Sequence, residues 1–442
     1  MNRDKQTAGF TQRLHHGVVW AAGSQGATML AQAGIVILLA KLGSASVLGR
    51  YALALSIVTP ITLLSRLQLR GLVTTDARGE YRFGEYLALR HVTNCVAFAA
   101  VLVVLALMRP GWDNVATTLA LTLVKLAENT RGVFLGRLQQ SDQWQRITTA
   151  SALRAAFGLV AFALTWTSSG NLPLALLTLG AADLLVLFAY EIPAVRALLR
   201  REGGSAKPLW HRTRMTDLAR AALPMGGVAA LVSLTIQMPR YFVEGFVGTE
   251  ALGHWAAVMQ ITTATALILQ PAGQASLARL AVYDQSNPVA FRRLFSSLLG
   301  AAGLVGVACA AGAYAIGDTV LALIYRPEYA DLQPILVLTM VGAIAAHVSS
   351  VLGFTLTAAR RFRAQFLLYS VTTVASAVAC YLLIPTFGLT GAAYAHIATW
   401  VVACLGGGVV FIQHRRVRLG DTDLPEEPST IKTEASGSVH PS

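Results

Sequence analysis

The sequence predicts an all-α polytopic membrane protein, with about twelve transmembrane helices in two pseudo-symmetric six-helix bundles. Composition, recurring apolar runs and an internal repeat carry that prediction. Of the 442 residues, 55% are hydrophobic and only 13% charged, against roughly 25% charged in soluble domains. The mean hydropathy is +0.56. Apolar runs near the roughly 20 residues that a helix needs to cross a bilayer recur along the whole chain, with short basic clusters between them.

Taken in order, the predicted spans are 17–41, 47–69, 86–108, 115–138, 147–167, 172–198, 219–243, 251–275, 294–324, 332–357, 364–384 and 389–412. Before the first stand Arg3, Lys5 and Arg13, and "AQA" at Ala31–Ala33 imitates a signal-peptidase site. Apolar sequence continues to Leu42, so this span is expected to stay uncleaved. The fourth span is anomalous: "TLVKLAENTRGVFLG" places Lys125, Glu128 and Arg131 inside an apolar run. The fifth carries Arg154, the sixth Asp183 and Glu191, the seventh Arg240. The ninth is long enough to contain a kink at its glycines.

Lysine and arginine test the count. Twelve spans with a cytoplasmic N-terminus put 25 of these residues in cytoplasmic segments, among them Arg70, Arg137, Arg146, Arg200, Arg201 and Lys207. Only Lys41, Arg50, Arg109 and Arg326 fall on the other side. This is the positive-inside asymmetry, and it puts both termini in the cytoplasm of a cell-membrane protein. The net charge of +13 is thereby explained by orientation, and no nucleic-acid partner is expected. The expected domains are an N-terminal bundle (1–199), a cytoplasmic hinge loop (200–217), a C-terminal bundle (218–413) and a disordered cytoplasmic tail (414–442). Cys95, Cys309, Cys380 and Cys404 lie in apolar runs without paired spacing, which reads as four buried, inert thiols. No cofactor, metal-ligand set or catalytic constellation is apparent.

Two pairs of segments repeat across the hinge. "VLGRYALALSIVT" at Val47 matches "ALGHWAAVMQITT" at Ala251 at an offset of 204, aligning Gly49 with Gly253 and Tyr51 with Trp255. "GVFLGRLQQSDQWQRI" at Gly132 parallels "GFTLTAARRFRAQFLL" at Gly353 more weakly. Each unit holds six helices, so both copies enter from the same side and are related by an axis along the membrane normal.

Ionisable groups at membrane depth usually face a bundle interior or a water-filled cavity. Lys125, Glu128 and Arg131 share one helical face. Counting Lys125, Arg131, Arg154 and Arg240 against Glu128 and Asp183 leaves two excess positive charges. A basic cavity suits an anionic cargo such as a phosphate ester, with the two carboxylates tempering the charge or coupling transport. The structural reading is an internal ladder in the fourth span, an Arg154–Asp183 pair and an Arg240–Glu244 pair. Arg66 and Arg90, near helix ends, read as snorkelling side chains, and His347 and His396 as satisfied bundle histidines.

The segments "LGSASVLGRYALALSIVTPITLL", "LQLRGLVTTDARGEYRFGEYLALR" and "IPTFGLTGAAYAHIATW" resemble polysaccharide transporters of the Wzx type, within the multidrug/oligosaccharidyl-lipid/polysaccharide (MOP) superfamily, over about residues 15–412. The resemblance implies two six-helix bundles around an alternating-access cavity. It also implies a polyprenyl-pyrophosphate-linked oligosaccharide as cargo, moved outward for surface polysaccharide synthesis. The lipid tail would stay in the bilayer, and partners would be the polymerase and glycosyltransferases of the same pathway. Where such proteins carry an aspartate or asparagine before the charged position matched by Arg240, this chain has Pro239. The competing readings are an organic-cation antiporter of the same superfamily and an integral-membrane polymerase or glycosyltransferase. Unpaired carboxylates would favour the first and a large extracytoplasmic loop the second. Peptidoglycan-precursor flippases resemble fourteen-span proteins, two more than predicted here.

Overall fold

The computed structural model describes residues 2–76, 79–359 and 361–422, with side chains from Val19 to Gln413 apart from Pro271, Ala275, Ala278 and Gln285. The predicted tail from residue 423 onward, Arg78 and Arg360 lie outside the described residues, as do the side chains of Arg3, Lys5, Arg13, Arg415, Arg416 and Arg418.

Among the described residues the elements are helical throughout. The first half contains α1 (Asn2–Leu42), α2 (Ala45–Arg66), a short α3 (Leu69–Thr75), α4 (Phe83–Met108), α5 (Trp112–Gln140), α6 (Trp144–Ser169), α7 (Leu172–Val186), a π-helical turn (Leu187–Glu191) and α8 (Ile192–Arg201). The second half contains α9 (Arg212–Phe246), α10 (Thr249–Ala264), α11 (Ala266–Ser286), α12 (Pro288–Ile324), α13 (Gln333–Ala358) and α14 (Phe362–Thr422). Among the described residues, ten helices qualify by length and composition to cross a membrane. Two further crossings are hidden from that count. Helix α5 has the length, at 29 residues, but carries the three embedded charges. Helix α14 folds back on itself at Gly388 (φ 57°, ψ −131°). That left-handed conformation suits a glycine, and the reversal is tight enough that a Cβ on Gly391 would lie 2.0 Å from the Leu383 carbonyl oxygen. The twelve predicted spans are thus all present, in order.

Local departures have local causes. Helix α2 ends on two left-handed residues, Leu67 and Gln68, before α3. Its exposed carbonyls are taken by Arg90 of α4, whose guanidinium donates to Ser65 O (2.9 Å) and Arg66 O (2.6 Å). Arg90 is 1% exposed, so it does not snorkel; it supplies donors and positive charge where a helix end lacks them. The long α12 does kink, at Ile316 beside Gly317. Helix α11 runs to Ser286, past the predicted end at residue 275. Cys380 is buried and Cys309 and Cys404 partly so, but Cys95 is exposed. It lines an open apolar groove that α4 forms with α5 and α7, which corrects the expectation of four buried thiols.

The internal repeat is visible as a contact. A Cβ on Gly49 would fall 1.9 Å from Thr249 O, and one on Gly253 would fall 1.8 Å from Ala45 O. Thr249 and Ala45 are themselves related by the offset of 204 between Gly253 and Gly49. Each half therefore presents the same surface to the other, the signature of a two-fold interface. The lightly charged face of the molecule is sealed there and by Arg326, which donates to Lys41 O (2.8 Å) and Gly43 O (2.8 Å) across the halves.

Along the seam, α2 packs extensively against both α9 and α10, whereas α1 meets α10 over only a short stretch. Pro60 in α2 lacks the N–H that would bond Ser56 O, and Tyr241 of α9 donates its hydroxyl to that carbonyl instead. Tyr241→Phe should orphan it and cost about 1–3 kcal/mol, read as a lower unfolding temperature in detergent; an unchanged temperature would show that water replaces the phenol. At the basic face, Leu209 N–H donates to Gly84 O (2.9 Å) and Arg214 to Glu80 O (3.1 Å). Leu218 and Ala222, at the start of α9, are buried among Leu69, Phe83, Tyr86 and Leu138 of the first half. The connection between the halves is therefore strapped to the N-terminal bundle, and so are the first turns of α9.

Candidate functional site: an embedded charge cluster

The three-residue spacing in α5 puts Lys125 and Glu128 on one face, and their side chains meet: Lys125 Nζ lies 2.9 Å from Glu128 Oε2. The other carboxylate oxygen accepts from Arg66 Nη2 at 3.2 Å. Arg66 Nε donates to Asn129 Oδ1 (2.9 Å), and Asn129 Nδ2 donates to Thr62 O (3.1 Å) and Ser65 Oγ (3.3 Å). The last turns of α2 are thereby zipped to α5. Two cations share one carboxylate, so the cluster carries an excess positive charge. Its members remain partly open, with Lys125 18%, Glu128 20% and Arg66 33% exposed.

Arg131 continues the same stripe but leaves the cluster. It is 5% exposed, with Nε 2.5 Å from Glu191 Oε1 and Nη2 donating to Ser151 Oγ at 3.1 Å. Ser151 in turn bonds Ser24 of α1 at 2.8 Å. Arg154 pairs with Asp183 at 3.2 Å, side chains 12% and 4% exposed, and reaches Thr28 at 3.5 Å. Both pairs are neutral and lie inside the N-terminal bundle. The π turn explains why both carboxylates face it. An α-helix advances about 100° per residue, so eight residues from Asp183 to Glu191 would leave them roughly 80° apart. The π turn absorbs an extra residue and brings Glu191 back to within about 20° of the Asp183 stripe.

In the second half Arg240 stands apart. It is half-buried, and among the described residues it has no ion-pair or hydrogen-bond partner; its electrostatic neighbours are the Tyr51 and Tyr241 phenols. Glu244 does not pair with it, contrary to the i, i+4 expectation, and accepts instead from Thr249 Oγ1 at 2.8 Å. His347 Nε2 bonds Thr265 Oγ1 at 3.0 Å. His396 sits edge-on to Trp255 and Trp400, with Nε2 unpartnered. No group of three His, Cys, Asp or Glu residues suited to a metal occurs among the described residues.

The structure thus joins Lys125 and Glu128, gives Arg131 and Arg154 each its own carboxylate, and leaves Arg240 free. Arg66 and Asn129 complete the cluster though neither was a candidate. The polar stripe Thr62, Ser65 and Arg66 at the end of α2 is the signal that marks them. Glu191 carries no such signal, because its face depends on the π turn.

A family model described as "Polysaccharide biosynthesis protein" matches residues 14–278, more than half of the chain. The chain belongs to this family. A capsular polysaccharide biosynthesis protein, CapF of Staphylococcus aureus, is 23% identical over 360 residues, covering 81% of this chain and 89% of CapF. Among solved structures, an inward-facing multidrug resistance MATE-family transporter of the MOP superfamily superposes with a TM-score of 0.72 at 14% identity, covering 90% of this chain and 96% of that one. A MOP superfamily transporter from Pyrococcus furiosus reaches 0.64 at 13% identity, covering 93% of this chain and 96% of its own. This is a multi-pass membrane protein of the polysaccharide biosynthesis family, with the MATE-like fold.

Proposed function

We propose that the protein flips a polyprenyl-pyrophosphate-linked oligosaccharide from the cytoplasmic to the outer leaflet by alternating access, for surface polysaccharide assembly. The observation that carries this reading is where the uncompensated positive charge lies. Arg131 and Arg154 are neutralised, while Arg66 and Lys125 share a single carboxylate and Arg240 has none. Guanidinium and ammonium groups in a low-dielectric cleft attract pyrophosphate strongly, and Arg66 and Arg240 bring bidentate geometry. The basic face is cytoplasmic, and the seam closed at Gly49 and Gly253 is the outer one, so the cleft receives cargo from the cytoplasm. By the two-fold, the α2–α9 and α10–α1 seams are equivalent; the second is the looser and gives the lipid tail its way to the bilayer. Arg131 and Arg154 hold the N-terminal bundle in shape behind the cleft.

The test is transport by proteoliposomes of a fluorescent polyprenyl-pyrophosphoryl glycan. Lys125→Ala and Arg240→Ala should each abolish it at normal protein levels. Wild-type rates in both would overturn the assignment, and export of ethidium-like cations instead would make the protein an antiporter.

A further inference from the structure

A second polar site lies at the lightly charged face, away from the embedded charges. There the turn before α5 meets the starts of α2 and α10 around a cavity of about 430 Å³, with Ser46, Arg50, Trp112, Asp113, Asn114 and Thr249 in its wall. Trp112 is 78% exposed and offers an indole ring to the cavity's surroundings. Arg50 Nη1 bonds Asp113 Oδ2 at 2.9 Å. The Oδ1 of Asn114 is shielded and accepts no hydrogen bond.

These features select a ligand class. The Arg50–Asp113 pair cancels the local charge, so nothing holds a phosphate in preference to a neutral molecule. Asn114, half-buried in the wall, carries an amide that both donates and accepts, and a hydroxyl can answer either role where an ionised phosphate can only accept. Arg50 donates and Asp113 accepts, in fixed planar geometry, and vicinal hydroxyls can answer both. An exposed indole beside such groups gives the C–H face of a sugar ring an apolar platform. Few convergent polar groups around a concave wall are what a small-molecule site requires.

We infer that this cavity is a subsite for neutral carbohydrate at the outer end of the transport path. The inference rests on the glycan cargo and orientation proposed above. Ser46, Arg50 and Trp112–Asn114 belong to the first half and Thr249 to the second, and Thr249 O is the atom pressed against Gly49. The wall is therefore complete only while the outer seam is closed. A glycan held there stabilises the closed state and hinders its own return.

The experiment is saturation-transfer NMR on the full-length protein in nanodiscs, with a panel of neutral di- to tetrasaccharides as probes. Wild type should give signal with at least one probe. Trp112→Ala and Asn114→Leu should weaken that probe's binding at least tenfold, and Gly253→Val, which wedges the seam open, should do the same. Lys125→Ala and Arg240→Ala should leave it intact. No Trp112-dependent signal with any probe overturns the subsite, and Trp112 is then an interfacial anchor. That result leaves the flippase proposal standing if lipid-linked glycan is still moved. Conversely, Trp112-dependent glycan binding without such movement keeps the subsite and removes the flippase reading.

Discussion

Arg131→Met should destabilise the folded protein by about 3–5 kcal/mol, the usual cost of stranding one member of a buried ion pair. The stranded group is Glu191, 0% exposed, whose second carboxylate oxygen already lacks a partner. Because Arg131 also holds Ser151, and through it Ser24 of α1, the loss spreads over α1, α5, α6 and the π turn. The double variant Arg131→Met with Glu191→Met should recover much of the loss, since an apolar pair of similar volume is often no worse than a buried salt bridge. Thermal unfolding in detergent across the four-member cycle measures the coupling. A fully stable Arg131→Met that nevertheless fails to transport would instead put Arg131 in the cleft wall with Lys125.

The second large effect concerns closure. Gly253→Val should abolish transport, and Gly49→Val should do so by the mirror-image clash, because the added Cβ lands 1.8 Å from Ala45 O in one case and 1.9 Å from Thr249 O in the other. Both obstacles are backbone atoms, so no side-chain rotation relieves them. Each bundle's own core is untouched, so the protein should still insert and fold, held off its closed state at this face. In a cysteine-free background, Ala52→Cys, buried at 1%, should resist a membrane-impermeant maleimide alone and react once combined with Gly253→Val. Wild-type export by both glycine variants would show that transport does not require this contact.

Much of this was legible in the sequence. Hydropathy located all twelve crossings, including α5 and the two limbs of α14, because crossing a bilayer makes a demand on composition over a window of residues. The repeat was legible because Gly49 and Gly253 are the residues at which two backbones touch, and no other residue type fits that distance. The Lys125–Glu128 pair followed from helical spacing alone. Arg66 was harder: whether a cation near a helix end turns to water or to a neighbouring helix depends on that helix, and here α5 offers both Glu128 and Asn129. The same ambiguity concealed Arg90, whose partners are carbonyls freed by a helix break that the sequence does not advertise. The Arg240–Glu244 expectation failed because i, i+4 proximity permits a pair without compelling one, and Thr249 offers Glu244 a hydroxyl.

The sequence by itself determined the membrane class, the number and order of crossings, the two-fold relation of the halves and the asymmetry of basic charge between the faces. These depend on windowed averages and on chain order, which survive any choice of packing. The tertiary structure alone decided which embedded charges are neutral and which remain free. That choice rests on contacts between residues about 60 apart in the chain, such as Arg131 with Glu191, and on a single π turn that rotates one carboxylate inward. Neither leaves a trace in composition or period, because a salt bridge is a property of two positions in space and a sequence records only one dimension of them.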